Sequence, residues 1–189
     1  INERDVRLLR ELITTKLDLE MAATEEIIKI ACDVGPELVT LVPEKRQELT
    51  TEGGINVIDN ISLIKDTIQE LHKYDIEVSL FIEPDIRQID AAAEIESNII
   101  EIHTGVFANA LSEEEQFDEL DRIRTAANHA KKLGLGVNAG HGLDYQNIKI
   151  FRELTDVDEV SIGHSIIARA VFVGINQAVK EMFELIRNG

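Results

Sequence analysis

A strand-then-helix rhythm repeated six times, in which each strand has one aliphatic and one partly polar face, constrains this chain more than any other feature. The patterning predicts strands over 17–22, 38–42, 77–82, 98–103, 136–139 and 157–162. Helices are predicted over 4–16, 24–35, 61–74, 84–97, 112–133 and 145–154, and from 163 to 187. Thr24 reads as a helix cap ahead of Glu25 and Glu26, and Gly35-Pro36 as a stop. Strands that alternate with helices imply a parallel sheet.

The strand faces separate two parallel architectures. Leu17, Leu19 and Met21 oppose Asp18 and Glu20, while Val78, Leu80 and Ile82 oppose Glu77, Ser79 and Phe81. Ile100 and Ile102 oppose Glu101 and His103, and Val160 and Ile162 oppose Glu159, Ser161 and Gly163. An open doubly wound sheet is covered by helices on both faces and favours apolar residues throughout. A closed barrel instead turns the aliphatic face to the helices and the polar face to its interior near the open end. The expected fold class is therefore α/β, a TIM-type (β/α)8 barrel. Such a barrel takes about 250 residues, and the chain opens Ile1-Asn2-Glu3-Arg4 inside a helical pattern without an initiator Met. The expectation is a single domain over 1–189 that is N-terminally incomplete, with the first two barrel strands missing.

Charge and composition narrow the partners. A formal net charge of -17 argues against nucleic acid, whose phosphates are held by Lys and Arg. Small phosphates stay open, since a helix N-terminus binds one whatever the net charge. The single cysteine, Cys32, sits in an apolar helical stretch, reads as packing, and suits a reducing cytoplasm. No apolar run reaches membrane-spanning length. A cytoplasmic enzyme with no membrane partner is the expectation.

Barrel chemistry sits at the C-terminal ends of the strands, where Glu20, Glu101, His103, Asn138, His141, Gly163 and His164 fall. Glu20 is either a functional carboxylate or one satisfied by a neighbouring Lys or Arg. Glu101, between Ile100 and Ile102 on a buried strand, is costly unless it has a role. His103 either orients Glu101 or touches substrate. Asn138-Ala139-Gly140-His141-Gly142-Leu143 flanks a histidine with glycines at a strand end, as a ligand-facing turn or as a plain tight turn. Gly163-His164 opens the last helical segment, where barrels often hold phosphate. The loop 43–54 reads as a lid or a mobile surface loop. His72 and His129 read as solvated, and no Cys or His spacing suggests a metal site.

Several segments, in this order, make the chain resemble the pyridoxine 5'-phosphate synthase family of vitamin B6 biosynthesis. They are Leu19-Glu20-Met21-Ala22, Leu41-Val42-Pro43-Glu44-Lys45-Arg46-Gln47-Glu48 with Thr50-Thr51-Glu52-Gly53-Gly54, and Ser79-Leu80-Phe81-Ile82. Ile100-Glu101-Ile102-His103-Thr104-Gly105, Val137 through Leu143, and Ile162-Gly163-His164-Ser165-Ile166-Ile167 complete the set. The resemblance implies an enzyme that condenses 1-deoxy-D-xylulose 5-phosphate with 3-amino-2-oxopropyl phosphate. The products it implies are pyridoxine 5'-phosphate, inorganic phosphate and water, with no metal or organic cofactor. It also implies Glu20 as a general base, His141 as the general acid and Glu101 as the carboxylate that stabilises the transition state. Gly142, Gly163 and His164 match the aminoketone phosphate site, and Thr50 matches a contact to the xylulose phosphate. A homo-oligomer, an octamer built from dimers, is implied as well. The family's Asn-x-Asp-His segment on its first strand, and a further catalytic His with a nearby Arg around its second, have no match in this sequence.

Two other readings compete on the residues alone. One is a different phosphate-binding barrel, an isomerase or aldolase using Glu20 and His141, although no strand end supplies a Schiff-base lysine. The other is a binding module that keeps phosphate affinity through Gly163 and His164.

Overall fold

The computed structural model describes residues 1–44 and 53–187. Helix α1 (Glu3–Leu12) leads to β1 (Asp18–Met21), α2 (Glu25–Val34), β2 (Leu38–Leu41) and α3 (Ile61–His72). Then come β3 (Glu77–Ile82), α4 (Ile86–Glu94), β4 (Ile99–His103), the one-turn α5 (Gly105–Ala108) and α6 (Glu113–Lys132). The chain continues through β5 (Gly136–Gly140), α7 (Ile148–Phe151), β6 (Glu159–Ser161), α8 (His164–Val173) and α9 (Ile175–Arg187).

The six strands form one parallel sheet in chain order, curled into a half-barrel. The curl brings the two ends of the sheet within side-chain reach. Lys16, just before β1, donates to Glu159 on β6 at 3.2 and 3.3 Å.

The register explains the two faces. Glu20 pairs with Thr40 and Thr40 with Ser79. Phe81 pairs with Glu101, Glu101 with Asn138, and Asn138 with Glu159. Paired residues on neighbouring strands share a face, so these side chains line the inside of the bowl. Val39, Leu41, Val78, Leu80, Ile82, Ile100, Ile102, Val137 and Ala139 project the other way and are buried in the core. Against them pack Ile64, Ile68 and Leu71 of α3, Ile89 of α4, and Leu120, Ile123 and Ala127 of α6. Each fully buried Leu or Ile contributes roughly 1.5–3 kcal/mol. The aliphatic face therefore holds the sheet to its helices and leaves the polar face available for chemistry.

Local signals set several boundaries. The Ser112 hydroxyl accepts the Glu115 N–H at 3.2 Å at the start of α6. Acids in that helix's first turn and His129, Lys131 and Lys132 in its last complement the dipole. Gly35 ends α2 in the left-handed conformation at φ 62°.

Other expectations need correction. The first helix stops at Leu12 rather than running to residue 16. Thr24 holds the cap position of α2, but its side chain makes no cap bond. The helix expected over 145–154 shrinks to α7, because Asp144 and Asn147 fold the preceding residues into a side-chain-bonded turn. The final helical segment breaks at Gly174 (φ 82°, ψ 151°), a conformation that interrupts a helix. His72 and His129 are not merely solvated: their Nε2 atoms meet Asn98 Oδ1 at 2.8 Å and Asp90 Oδ1 at 2.6 Å. Among the described residues no helix is long and apolar enough to cross a membrane.

Candidate active site

Glu101 lies at the centre of the polar face. It is 4% exposed, and its Oε2 accepts the Ser161 hydroxyl at 3.2 Å. That bond runs from β4 to β6 and passes over β5, where Gly140 stands. A Cβ at Gly140 would lie 2.2 Å from Glu101 Oε1 and 3.0 Å from the Ser161 Cβ. The bare glycine is what gives the carboxyl its place. Burial pushes the Glu101 carboxyl up to about 7; Glu20 and Asp18 add repulsion, and the Ser161 hydrogen bond opposes them. A carboxyl near half-protonation at neutral pH can both give and take a proton.

His141 follows Gly140 at the C-terminal end of β5, with φ 80°, a left-handed backbone that a non-glycine residue adopts only when its surroundings impose it. Its surroundings do so in detail. The buried Thr104 hydroxyl lies 2.8 Å from the Gly140 carbonyl and 2.6 Å from the His141 carbonyl, and the Thr104 N–H donates to the Gly140 carbonyl at 2.9 Å. Asn147 Nδ2 donates to the Gly142 carbonyl at 3.1 Å, and the Ser165 hydroxyl donates to the Leu143 carbonyl at 3.0 Å. Gly142 carries φ 79°, and a Cβ there would lie 2.6 Å from the Ala108 Cβ. The segment is thus a tight turn and a presenting turn at once. It holds the imidazole half-buried at the rim of the bowl.

Glu20 projects into the bowl from β1, and no Lys or Arg among the described residues pairs with it. Below it, Asp18 accepts the Thr40 hydroxyl at 3.0 and 3.1 Å. Partial enclosure, then Glu20, pushes the Asp18 carboxyl up to about 6 against the Thr40 hydrogen bond and Lys16. Gly163 caps α8 and His164 begins it, both exposed beside the Ser161 end of β6. The first N–H groups of a helix have no partner within it, so this turn offers donors to an anion. Thr50 and most of the 43–54 loop lie outside the described residues.

His103 shares the face of Glu101 but does not orient it. Its Nδ1 lies 2.8 Å from Glu83 Oε1, and its ring meets that of His141 at 5.1 Å between centroids. Sequence reasoning missed Glu83 and Ser161 as partners and Thr104 as a clamp. Thr104 had one legible signal, its place directly after a strand and before Gly105. Among the described residues, no group of three His, Cys, Asp or Glu side chains is gathered to hold a metal ion.

Comparison with known proteins gives a consistent result. The family model described as "Pyridoxal phosphate biosynthesis protein PdxJ" matches residues 1–188. A pyridoxine 5'-phosphate synthase from Chlorobium phaeobacteroides is 53% identical over 187 residues, covering 99% of this chain and 79% of the relative. Those from Syntrophobacter fumaroxidans and Chlorobium luteolum are 52% and 54% identical over 186 residues, each covering 98% of this chain and 78% and 79% of the relative respectively. Among solved structures, the Xanthomonas citri FimX EAL domain superposes with a TM-score of 0.58 at 16% identity, covering 84% of this chain and 63% of that one. That likeness concerns the fold alone.

Proposed function

The chain belongs to the PdxJ family of pyridoxal phosphate biosynthesis proteins, and from that premise we propose that it acts as a pyridoxine 5'-phosphate synthase in vitamin B6 biosynthesis. It condenses 1-deoxy-D-xylulose 5-phosphate with 3-amino-2-oxopropyl phosphate, yielding pyridoxine 5'-phosphate, inorganic phosphate and water. The fold extends this reading to a TIM-type barrel whose third to eighth strands are β1 to β6, and the family pattern extends it to a homo-oligomer, an octamer built from dimers.

One observation carries the chemical part: a buried carboxyl at about 7 stands next to a backbone-locked histidine at the rim of a carboxylate-lined bowl. Imine formation, phosphate loss, water addition and ring closure each move a proton between carbon, nitrogen and oxygen. No single group serves all of these steps, because donor and acceptor must exchange roles within one pocket. In this reading Glu20, exposed to the bowl, removes protons from carbon. His141 delivers a proton to the departing oxygen. Glu101 sits between them and stabilises the charge that develops, its proton affinity matched to neutral pH. The α8 N-terminus with Gly163 and His164, together with Gly142, holds the aminoketone phosphate through N–H donors and the helix dipole. Thr50 contacts the xylulose phosphate. No metal or organic cofactor takes part.

The test is direct. Incubating the protein with both substrates should produce the absorbance of a pyridinol together with one equivalent of inorganic phosphate. A well-folded protein that yields neither overturns the reading.

A further inference from the structure

Asn138 lies on the polar face of β5, with Glu101 on β4 and Glu159 on β6 as its register partners on either side. It is only 5% exposed. The polar groups around it are committed elsewhere. Glu101 Oε2 accepts the Ser161 hydroxyl at 3.2 Å, and Glu159 accepts from Lys16 at 3.2 and 3.3 Å. The Thr40 hydroxyl donates to Asp18 at 3.0 and 3.1 Å. Glu101 is drawn away from Asn138, because its carboxyl takes the space that a Cβ at Gly140 would fill. Among the described residues no hydrogen bond reaches the Asn138 side-chain amide. The Ser79 hydroxyl on the same face is unpaired and sealed from solvent, whereas the Asn138 amide keeps an opening to the bowl.

The backbone that carries this amide is firmly held. The Val137 N–H donates to Asp158 Oδ2 at 2.8 Å, and the Asp158 N–H donates to the Val137 carbonyl at 2.7 Å. Val137 and Ala139, on either side of Asn138, are both packed in the core. An amide almost withdrawn from solvent and without a protein partner is unfavourable unless a ligand completes it. The chemistry of the bowl says which half of the amide a ligand would need. Asp18, Glu20, Glu101 and Glu159 line it, and an ionised carboxylate can only accept. An oxygen entering from a substrate needs a donor. The Thr40 and Ser161 hydroxyls are already given to acids and that of Ser79 is sealed, so Asn138 Nδ2 offers that donor from a fixed, neutral group.

We propose that Asn138 is a further substrate-binding residue, whose Nδ2 donates to a carbonyl oxygen of the bound carbon skeleton beside Glu101. A preorganised neutral donor holds such an oxygen most strongly when the carbonyl is attacked and the oxygen gains negative charge. Its level in the sheet sets it apart from the phosphate site. Asn138 pairs with Glu159, whereas Gly163 and His164 lie past the end of β6. The amide therefore meets the reacting skeleton and not a phosphate. The inference rests on the reading of the bowl as the synthase site.

The experiment has a variant arm and a spectroscopic arm. In Asn138→Leu, of similar shape, kcat should fall about 100-fold, as when one donor to a developing oxyanion is removed. The melting temperature should stay level or rise, because no protein group loses a partner. Asn138→Asp puts an acceptor where the donor stood, and kcat should fall at least as far. Wild-type kcat in either variant, or a melting temperature lowered by more than about 5 °C in Asn138→Leu, would overturn the proposal, the second by making the amide structural. The other arm uses the unaltered protein labelled with 15N-asparagine. The Asn138 amide signal should shift on adding 1-deoxy-D-xylulose 5-phosphate or pyridoxine 5'-phosphate and stay put with inorganic phosphate alone. An unmoved signal with both organic phosphates would sink the contact even if a variant does not fold. Normal turnover together with that result removes this contact alone, whereas an unaltered protein that forms no pyridinol removes the functional reading and the contact with it.

Discussion

Ser161 on β6 and Glu101 on β4 are hydrogen-bonded at 3.2 Å across an intervening strand. Side chains two strands apart meet in a parallel sheet only when the strand between them contributes nothing at that level, and Gly140 contributes nothing. The strength of the site therefore depends on an absence, which makes it open to substitution in an unusual way.

Gly140→Ala is expected to separate stability from activity. The new methyl group would collide with Glu101 Oε1, the free end of a flexible side chain, rather than with backbone. The carboxyl can swing aside at small cost, so the melting temperature should drop by only a few degrees, corresponding to about 1 kcal/mol or less. Turnover should fall about 100-fold, because the displaced carboxyl no longer faces the reacting atoms. Thermal unfolding and steady-state kinetics on one preparation check both halves.

The Glu101 carboxyl gives a signed pH dependence. Its folded value, about 7, lies above the ordinary 4.5, so between those limits the folded state holds a proton that the unfolded chain has released. Stability is then full below about pH 4.5 and is lost as pH rises through about 7. The loss is at most about 3 kcal/mol, from 1.36 kcal/mol per unit. Glu101→Gln, which mimics the protonated acid, should match the unaltered protein near pH 4.5 and exceed it at pH 8 while turnover nearly vanishes. Denaturant titrations at both pH values test this, and a stability difference independent of pH would contradict it. Ser161→Ala should raise the Glu101 midpoint further in a carboxyl 13C titration, since the lost hydrogen bond favours the ionised form.

Thr104→Val removes the hydroxyl from between the Gly140 and His141 carbonyls while keeping the shape. The buried carbonyls lose a donor, and destabilisation of about 1–3 kcal/mol is expected. His141 should also gain backbone freedom, visible as faster amide hydrogen exchange across 140–143 than in the surrounding sheet. Uniform protection in the variant would count against the clamp.

His141→Asn keeps a residue that tolerates φ 80° and removes the imidazole. Stability should be unchanged or slightly higher, and turnover should fall about 100- to 10,000-fold, the range spanned by general acid–base catalysis. A large loss of stability would show that the ring contact with His103 contributes more to folding than to chemistry.

The strand faces and strand-end acids were legible because alternation within one strand is a local pattern. Glu101 stood out on that basis and His141 by its flanking glycines; the structure places the first on β4 and the second directly after β5. The partners were not legible, because they depend on register between strands. Glu83 lies between a strand and a helix with no local signal of its own, and only the pairing of Phe81 with Glu101 brings it alongside His103. The break between α8 and α9 was hidden for a similar reason, since one Gly174 inside an apolar periodic stretch is compatible with an unbroken helix. Thr24 shows the converse: a residue type suited to capping holds the cap position without making the bond.

The chain-order sheet has a consequence for how the molecule is made. Each strand pairs with the strand that follows it, so every addition closes a loop of only a few tens of residues, and the entropy of closure rises slowly with such lengths. Synthesis from the N-terminus can therefore lay down one strand and helix at a time on an existing template, with no need to wait for distant sequence. The contact between Lys16 and Glu159 is the exception, spanning nearly the whole fold. It cannot form until β6 has emerged, which makes it a natural reporter of the last assembly event.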